Sequence, residues 1–202
     1  MNSAPSTARQ TDLFGEPAPQ GPEGFRYAAD LISVPEERDL LAQFHDLPFQ
    51  PFAFHGFLGA RRVVAFGWRY DFSAARLQTA SPLPPFLVAI RRRIAAFAGR
   101  PEDDFPQAMV TEYAAGAGIG WHRDKPQFGD VVGVSLGAPC TLRFRLKAGG
   151  AWRRMKLAAL PRSAYLLRGP ARDLWEHSIP PVQALRYSIT FRTFRTPPPA
   201  AP

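Results

Sequence analysis

His122-Arg123-Asp124, read with the distant His177 and the stretch Arg186-Tyr187-Ser188-Ile189-Thr190-Phe191-Arg192, carries most of what this sequence says about fold and chemistry. Two histidines and one carboxylate are the ligand set of the 2-His-1-carboxylate facial triad, which leaves one face of a ferrous ion open for a cosubstrate and dioxygen. His122 and Asp124 are two apart, so on a β-strand they point the same way. A chelating keto acid also needs its far carboxylate held by a fork of donors, which arginine supplies. Period-2 alternation puts Arg186, Ser188, Thr190 and Arg192 on one face of the C-terminal stretch and Tyr187, Ile189 and Phe191 on the other. The second face packs. Two arginines and two hydroxyls in a row on a barrel interior call for an anion, so the first face is the candidate cosubstrate site.

Outward from these motifs, the chain from Met109 onward consists of short apolar runs rich in Val, Thr, Phe and Tyr and broken by Gly, Pro and Asp, a strand pattern. Within one such run, Thr141 to Leu146, Cys140 reads as a small packed residue beside the strand start. The N-terminal half is helical in two places. Ser33-Val34-Pro35-Glu36 is an N-cap with glutamate three residues on, and Leu40, Leu41 and Phe44 follow at helical spacing, predicting a helix from Pro35 to His45. Phe86, Ile90, Ile94 and Phe97 predict a second from Pro85 to Ala98, stopped by Gly99. Trp175 shares strand parity with His177 and is assigned to packing, Asp130 and Asp173 to turns, and His45 and His55 to structural or surface positions.

The 202 residues, 46% of them hydrophobic, suffice for one domain with a core and exclude general disorder. A single cysteine excludes an internal disulfide. No segment has the length of a membrane span or the apolar core of a signal peptide, so a cytoplasmic protein is expected. The net charge of +8 suits a polyanionic partner, with clusters at Arg61-Arg62, Arg91-Arg92-Arg93 and Arg143/Arg145/Arg153/Arg154. The expected organisation is a flexible leader over 1–22, one domain over 23–196 and a flexible tail over 197–202. Within the domain, 23–105 would supply an extension and lid and 106–196 the catalytic barrel.

Met109-Val110-Thr111-Glu112-Tyr113, Gly116, Gly120-Trp121-His122-Arg123-Asp124-Lys125, Val134-Ser135-Leu136-Gly137-Ala138-Pro139, Trp175-Glu176-His177-Ser178-Ile179 and the arginine stretch occur in the order and rough spacing of the AlkB family. The resemblance runs from about Phe49 to Arg195. It implies an Fe(II)- and 2-oxoglutarate-dependent dioxygenase with a jelly-roll (double-stranded β-helix) core, mainly β with flanking helices. His122, Asp124 and His177 look like the iron ligands. Tyr113 and Arg186 fall on the family's cosubstrate tyrosine and far-carboxylate arginine, and Arg192 on the second arginine, near the metal end. Thr111 and Ser188 stand where many members have asparagine; a serine can still bond a carboxylate oxygen, so Ser188 stays in the cosubstrate set. Pro126 stands where the best-known bacterial member has an acidic base-reading residue, so base preference does not carry over.

Arg61-Arg62-Val63-Val64-Ala65-Phe66-Gly67-Trp68-Arg69-Tyr70 resembles the family's nucleotide-recognition lid, whose rings stack on an extruded base. Arg61, Arg62, Phe66, Trp68 and Tyr70 are thus the candidate substrate residues. The implied reaction hydroxylates the carbon on a substrate nitrogen while 2-oxoglutarate and dioxygen yield succinate and CO2, and the hemiaminal collapses to formaldehyde and the bare amine. The expected partner is alkylated nucleic acid, single-stranded by preference, and the expected state a monomer. The same chemistry on a protein or small molecule, and a catalytically silent binding module, stay as alternatives.

Overall fold

In the computed structural model, which describes residues 21–54, 57–71 and 74–196, both helices start and stop for local reasons. At α1 (Val34–Phe44) the Ser33 hydroxyl accepts from the Glu36 N–H at 3.4 Å, and the Glu36 carboxylate accepts from the Ser33 N–H at 2.8 Å. Two donors that the helix cannot satisfy are thereby paired. Helix α2 (Pro85–Ala98) begins on a proline, whose missing N–H is no loss there, and ends at Gly99, whose φ of 65° lies in the left-handed region.

The strands are β1 (Phe25–Ala28), β2 (Gln50–Phe54), β3 (Phe57–Phe66), β4 (Trp68–Asp71), β5 (Arg76–Thr79), β6 (Gln107–Tyr113), β7 (Ile119–His122), β8 (Phe128–Gly137), β9 (Cys140–Ala148), β10 (Ala151–Ala159), β11 (Ala164–Leu167), β12 (Glu176–Ile179) and β13 (Arg186–Phe194), with a short helix α3 (Pro170–Asp173) before β12. A large antiparallel sheet in the order β1-β11-β8-β13-β6-β3-β2 faces a small one in the order β10-β9-β12-β7, and β4 pairs with β5 in a separate ribbon. This is the expected jelly roll.

Alternation along each strand feeds two cores. On the outer side of the large sheet, Phe44, Leu87 and Ile94 of the helices bury Val110, Val132, Ile189 and Phe191, and Tyr187 joins them with its ring 5.4 Å from that of Phe44. Between the sheets, Leu142 and Phe144 of β9 meet Tyr113, Val131, Tyr165 and Leu167 of the large sheet, with Trp175 and Cys140 packed among them as the sequence suggests. The site lies at the open end of this second core.

Some expectations fall differently. Asp130 is inside β8 and buried, not in a turn: its carboxylate accepts from Arg100 Nε at 2.6 Å and Arg168 Nε at 2.8 Å, partners far away in sequence. Asp173 closes α3 and pairs with Arg195. His45 is exposed beside Asp46, whereas His55 lies outside the described residues, as do 1–20 of the expected leader and the tail 197–202. Gly21 and Pro22 are buried.

Candidate active site

Strand pairing brings the two histidines together. His122 on β7 is the direct cross-strand partner of His177 on β12, with ring centroids 4.3 Å apart. Asp124 completes the group: one ligand atom from each of the three lies within 4.8 Å of the others. The H-x-D pair does not share a strand, however. β7 ends at His122 because β12 begins at Glu176, one residue before His177, and offers little to pair further on. Asp124 reaches the same point from the loop that follows.

Each donor is prepared for a cation. His122 Nδ1 lies 2.9 Å from the Gly120 carbonyl, a contact that places the proton on Nδ1 and leaves the Nε2 lone pair free. Burial lowers the pKa of His122, and burial with the neighbouring His122 lowers that of His177 to about 3. Both imidazoles are therefore neutral at neutral pH. The 3.7 Å approach of His177 Nε2 to Asp124 Oδ2 is accordingly two ligands facing a common point rather than an ion pair. Burial alone would raise the Asp124 pKa, but the Arg192 guanidinium, with Nε 2.8 Å from Oδ1, helps hold it well below the carboxylate range. Two neutral imidazoles and an ionised carboxylate suit Fe(II).

The arginine face of β13 lies beside this group, and cross-strand register assembles its surroundings. Arg186 sits between Tyr113 of β6 and Gly137 of β8, Ser188 between Thr111 and Ser135, and Arg192 between Gln107 and Val131. Arg186 has 0% exposure, lies 4.8 Å from the Tyr113 ring centroid, and donates from Nη2 to Ser135 Oγ at 3.2 Å. Its Nε and Nη1 are buried with no hydrogen-bond partner among the described residues. A bound anion would satisfy such a fork. Arg192 is otherwise engaged, donating from Nη1 to Gln107 Oε1 at 3.0 Å.

A cavity of about 1590 Å³ opens over the metal group, lined by His122, Asp124, His177, Tyr113, Ser188 and Arg192, while the fully buried Arg186 lies behind its wall rather than in the lining. The predicted lid residues divide. Arg61 lines the cavity, its guanidinium 3.9 Å from the Phe52 ring centroid, and Tyr70 lines it with Lys125 Nζ 5.0 Å from its ring centroid. Arg62, Phe66 and Trp68 do not. Arg62 and Phe66 share the opposite parity of β3 from Arg61: Arg62 donates to the Glu112 carboxylate at 2.7 and 2.9 Å, and Phe66 is buried under the helices. Trp68 packs edge-on against Phe194. In their place Arg69 lines the cavity, together with Pro126.

Sequence reasoning overlooked several neighbours. Ser135 and Gln107 touch the two arginines. Tyr165 fills the cavity wall over Gly133, where an added Cβ would fall 2.3 Å from its ring. Arg172 donates to the carbonyls of Lys125, Phe128 and Gly129 at 2.7 to 3.0 Å and so fixes the segment after Asp124. Their roles come from register and loop closure, which leave no local signal.

Comparison with known proteins agrees with this geometry. The model of the 2OG-Fe(II) oxygenase superfamily matches residues 42–192. The Alkylated DNA repair protein ALKBH8 homolog of Arabidopsis thaliana is 30% identical over 176 residues, covering 75% of this chain and 49% of that protein. The Alpha-ketoglutarate-dependent dioxygenase AlkB of Escherichia coli (strain K12) is 30% identical over 139 residues, covering 61% and 62%. The chain thus spans about half to three fifths of the length of these curated relatives. Among solved structures, OsALKBH1 superposes with a TM-score of 0.64 at 15% identity, covering 84% of this chain and 96% of that one. A 2OG-Fe(II) oxygenase family oxidoreductase from Burkholderia pseudomallei gives 0.59 at 16%, covering 87% of each. At these identities the superpositions speak for the fold.

Proposed function

The chain belongs to the 2OG-Fe(II) oxygenase superfamily and is an AlkB-like dioxygenase, and from that premise we propose that it oxidatively demethylates N-alkylated nucleobases in DNA or RNA. The observation that carries the substrate class is the cavity. Its volume of about 1590 Å³ far exceeds what a five-carbon diacid occupies, and Arg61, Arg69, Lys125, Phe52, Tyr70 and Trp121 interleave cations with aromatic rings along its lining. Rings that stack on an extruded base and cations that meet its phosphates are what a nucleic-acid substrate requires. The name of one relative, an alkylated DNA repair protein homolog, points the same way.

His122, Asp124 and His177 would hold the iron, which, with 2-oxoglutarate and dioxygen, supplies the oxidising equivalent that hydroxylates the carbon on the substrate nitrogen. Arg186 would pair with the far carboxylate of 2-oxoglutarate, and Tyr113 and Ser188 would donate hydroxyl hydrogen bonds to the same molecule. Arg192 keeps the Asp124 carboxylate ionised and oriented, and the Gly120 carbonyl fixes the His122 ring. The hydroxylated product needs no further oxidant: its hydroxyl gives up a proton to solvent, the carbon–nitrogen electron pair stays on nitrogen, which takes a proton from solvent unless it leaves from a cationic base, and formaldehyde departs from the bare amine. With Pro126 in the lining, no side-chain carboxylate at that position selects the base.

A panel of methylated oligonucleotides incubated with enzyme, Fe(II), ascorbate and 2-oxoglutarate should contain a member that loses its methyl group by mass spectrometry, with one formaldehyde formed for each succinate made above the level without oligonucleotide. Intact oligonucleotides alongside a modified peptide or small molecule would reassign the substrate.

A further inference from the structure

His177 and Phe144 point from the small sheet into the barrel, so the strand registers place the intervening residues on its outer face. There Arg154 lies directly opposite Arg145, and Lys156 opposite Arg143, with Lys147 one step along beside Trp152. Like charges facing one another across strands destabilise a sheet. The pairing partners on β12 are Glu176 and Ser178, and they relieve only part of this: Arg145 Nε donates to the Glu176 carboxylate at 2.5 Å and Arg143 Nε to Ser178 Oγ at 3.1 Å. Among the described residues, Lys147, Arg154 and Lys156 make no ion pair.

Aromatic rings are set into the same face. The Arg145 guanidinium lies 4.6 Å from the Trp121 ring centroid and 4.5 Å from that of Trp152, so a Trp-Arg-Trp ridge crosses the sheet and keeps that charge at the surface. The face is continuous with the candidate active site, because Trp121 and Glu176 also line the cavity. Cations on every second residue of a strand recur about 6.6 Å apart, comparable to the phosphate repeat of an extended polynucleotide.

We propose that the outer face of the small sheet is a track for the sugar-phosphate backbone of a single-stranded polynucleotide, one of whose bases enters the cavity around the β7 edge. The proposal rests on the nucleic-acid demethylase reading above. It adds a second contact surface on the far side of the sheet that carries His122 and His177.

The test is fluorescence anisotropy of a labelled oligothymidylate over a series of salt concentrations, comparing wild type with Lys147→Ala/Arg154→Ala/Lys156→Ala. These side chains are exposed, and 2-oxoglutarate turnover without substrate reports that the variant is folded. A control triple, Arg26→Ala/Arg38→Ala/Arg92→Ala, removes the same charge from the helix-covered side. The track triple should bind about tenfold or more weakly, with the slope of log affinity against log salt shallower by about 2, since each single-strand phosphate contact contributes about 0.7, while the control stays near wild type. Wild-type affinity and slope in the track triple, or equal weakening in both triples, would overturn the track and leave the demethylase reading intact. Failure of the wild-type protein to bind any oligonucleotide would remove that reading and the track with it. Loss of binding to phosphatidylserine vesicles without loss of oligonucleotide binding would assign the face to a membrane surface instead.

Discussion

Arg186 has no exposed surface, yet two of its guanidinium nitrogens have no hydrogen-bond partner among the described residues. A buried charge left in that state is costly, and a bound carboxylate is what removes the cost. Arg186→Lys keeps the charge and loses the fork, so the Michaelis constant for 2-oxoglutarate should rise by an amount equivalent to about 1.5–3 kcal/mol; an unchanged constant would make Arg186 structural. Gly133 is constrained from the other side of the cavity, where a methyl group would fall 2.3 Å from the Tyr165 ring. Gly133→Ala should therefore lower stability in urea by about 1–3 kcal/mol, and Tyr165→Leu in the same chain should recover most of it. Recovery would fail if the clash were elsewhere. At this scale the arginine row was legible from alternation along β13, and the three residues of the metal group from residue type and the order of the motifs rather than from a shared strand. Ser135, Gln107 and Tyr165 were not, because only the pairing of β8, β6 and β11 with their neighbours brings them to the site.

Helix α1 shows how far local chemistry reaches at the scale of elements. Its capping box was written in Ser33-Val34-Pro35-Glu36, and Ser33→Ala should cost about 1 kcal/mol in urea-unfolding stability. The same Glu36 carboxylate also accepts from Arg93 of α2 at 2.8 Å, a link between helices that the sequence does not announce. Bonding to Arg93 first, and then to Ser33, lowers the Glu36 pKa from 4.5 to about 2. Between those values the unfolded chain binds more protons than the folded one, so the stability from this group is complete above about pH 4.5 and is lost as pH falls towards 2. The carboxylate is largely solvated, so the effect is small and screened by salt. Urea titrations across this range should show a shallower acid-side decline for Glu36→Gln than for wild type, and parallel declines would disconnect Glu36 from acid stability. Strand β3 marks the limit of such local reading. Its alternation separates Arg61 from Arg62 and Phe66, but nothing in the sequence says which parity faces the cavity, and the helices packed on the outer side decide it. The H-x-D pair likewise looked like one strand until the short reach of β12 ended β7 at His122.

Across the whole molecule, the two sheets and the helices divide the labour. The helices cover the outer side of the large sheet, its inner side holds the arginine row, and the small sheet brings His122 to His177. The jelly roll was legible as a class from the strand-rich half and the order of its motifs. The sheet order was not, because pairing between strands distant in sequence is absent from local pattern. That order brings residues 122, 124 and 177 together as a candidate metal site, and the proposed reaction depends on iron binding there. That binding is tested most directly by anaerobic titration of Fe(II) into wild type and into His122→Ala, Asp124→Ala and His177→Ala, with circular dichroism confirming that each variant is folded. Wild type should saturate at equimolar iron, and each variant should bind at least about tenfold more weakly, as expected for loss of one of three protein ligands. Wild-type iron affinity in all three folded variants would contradict the assignment.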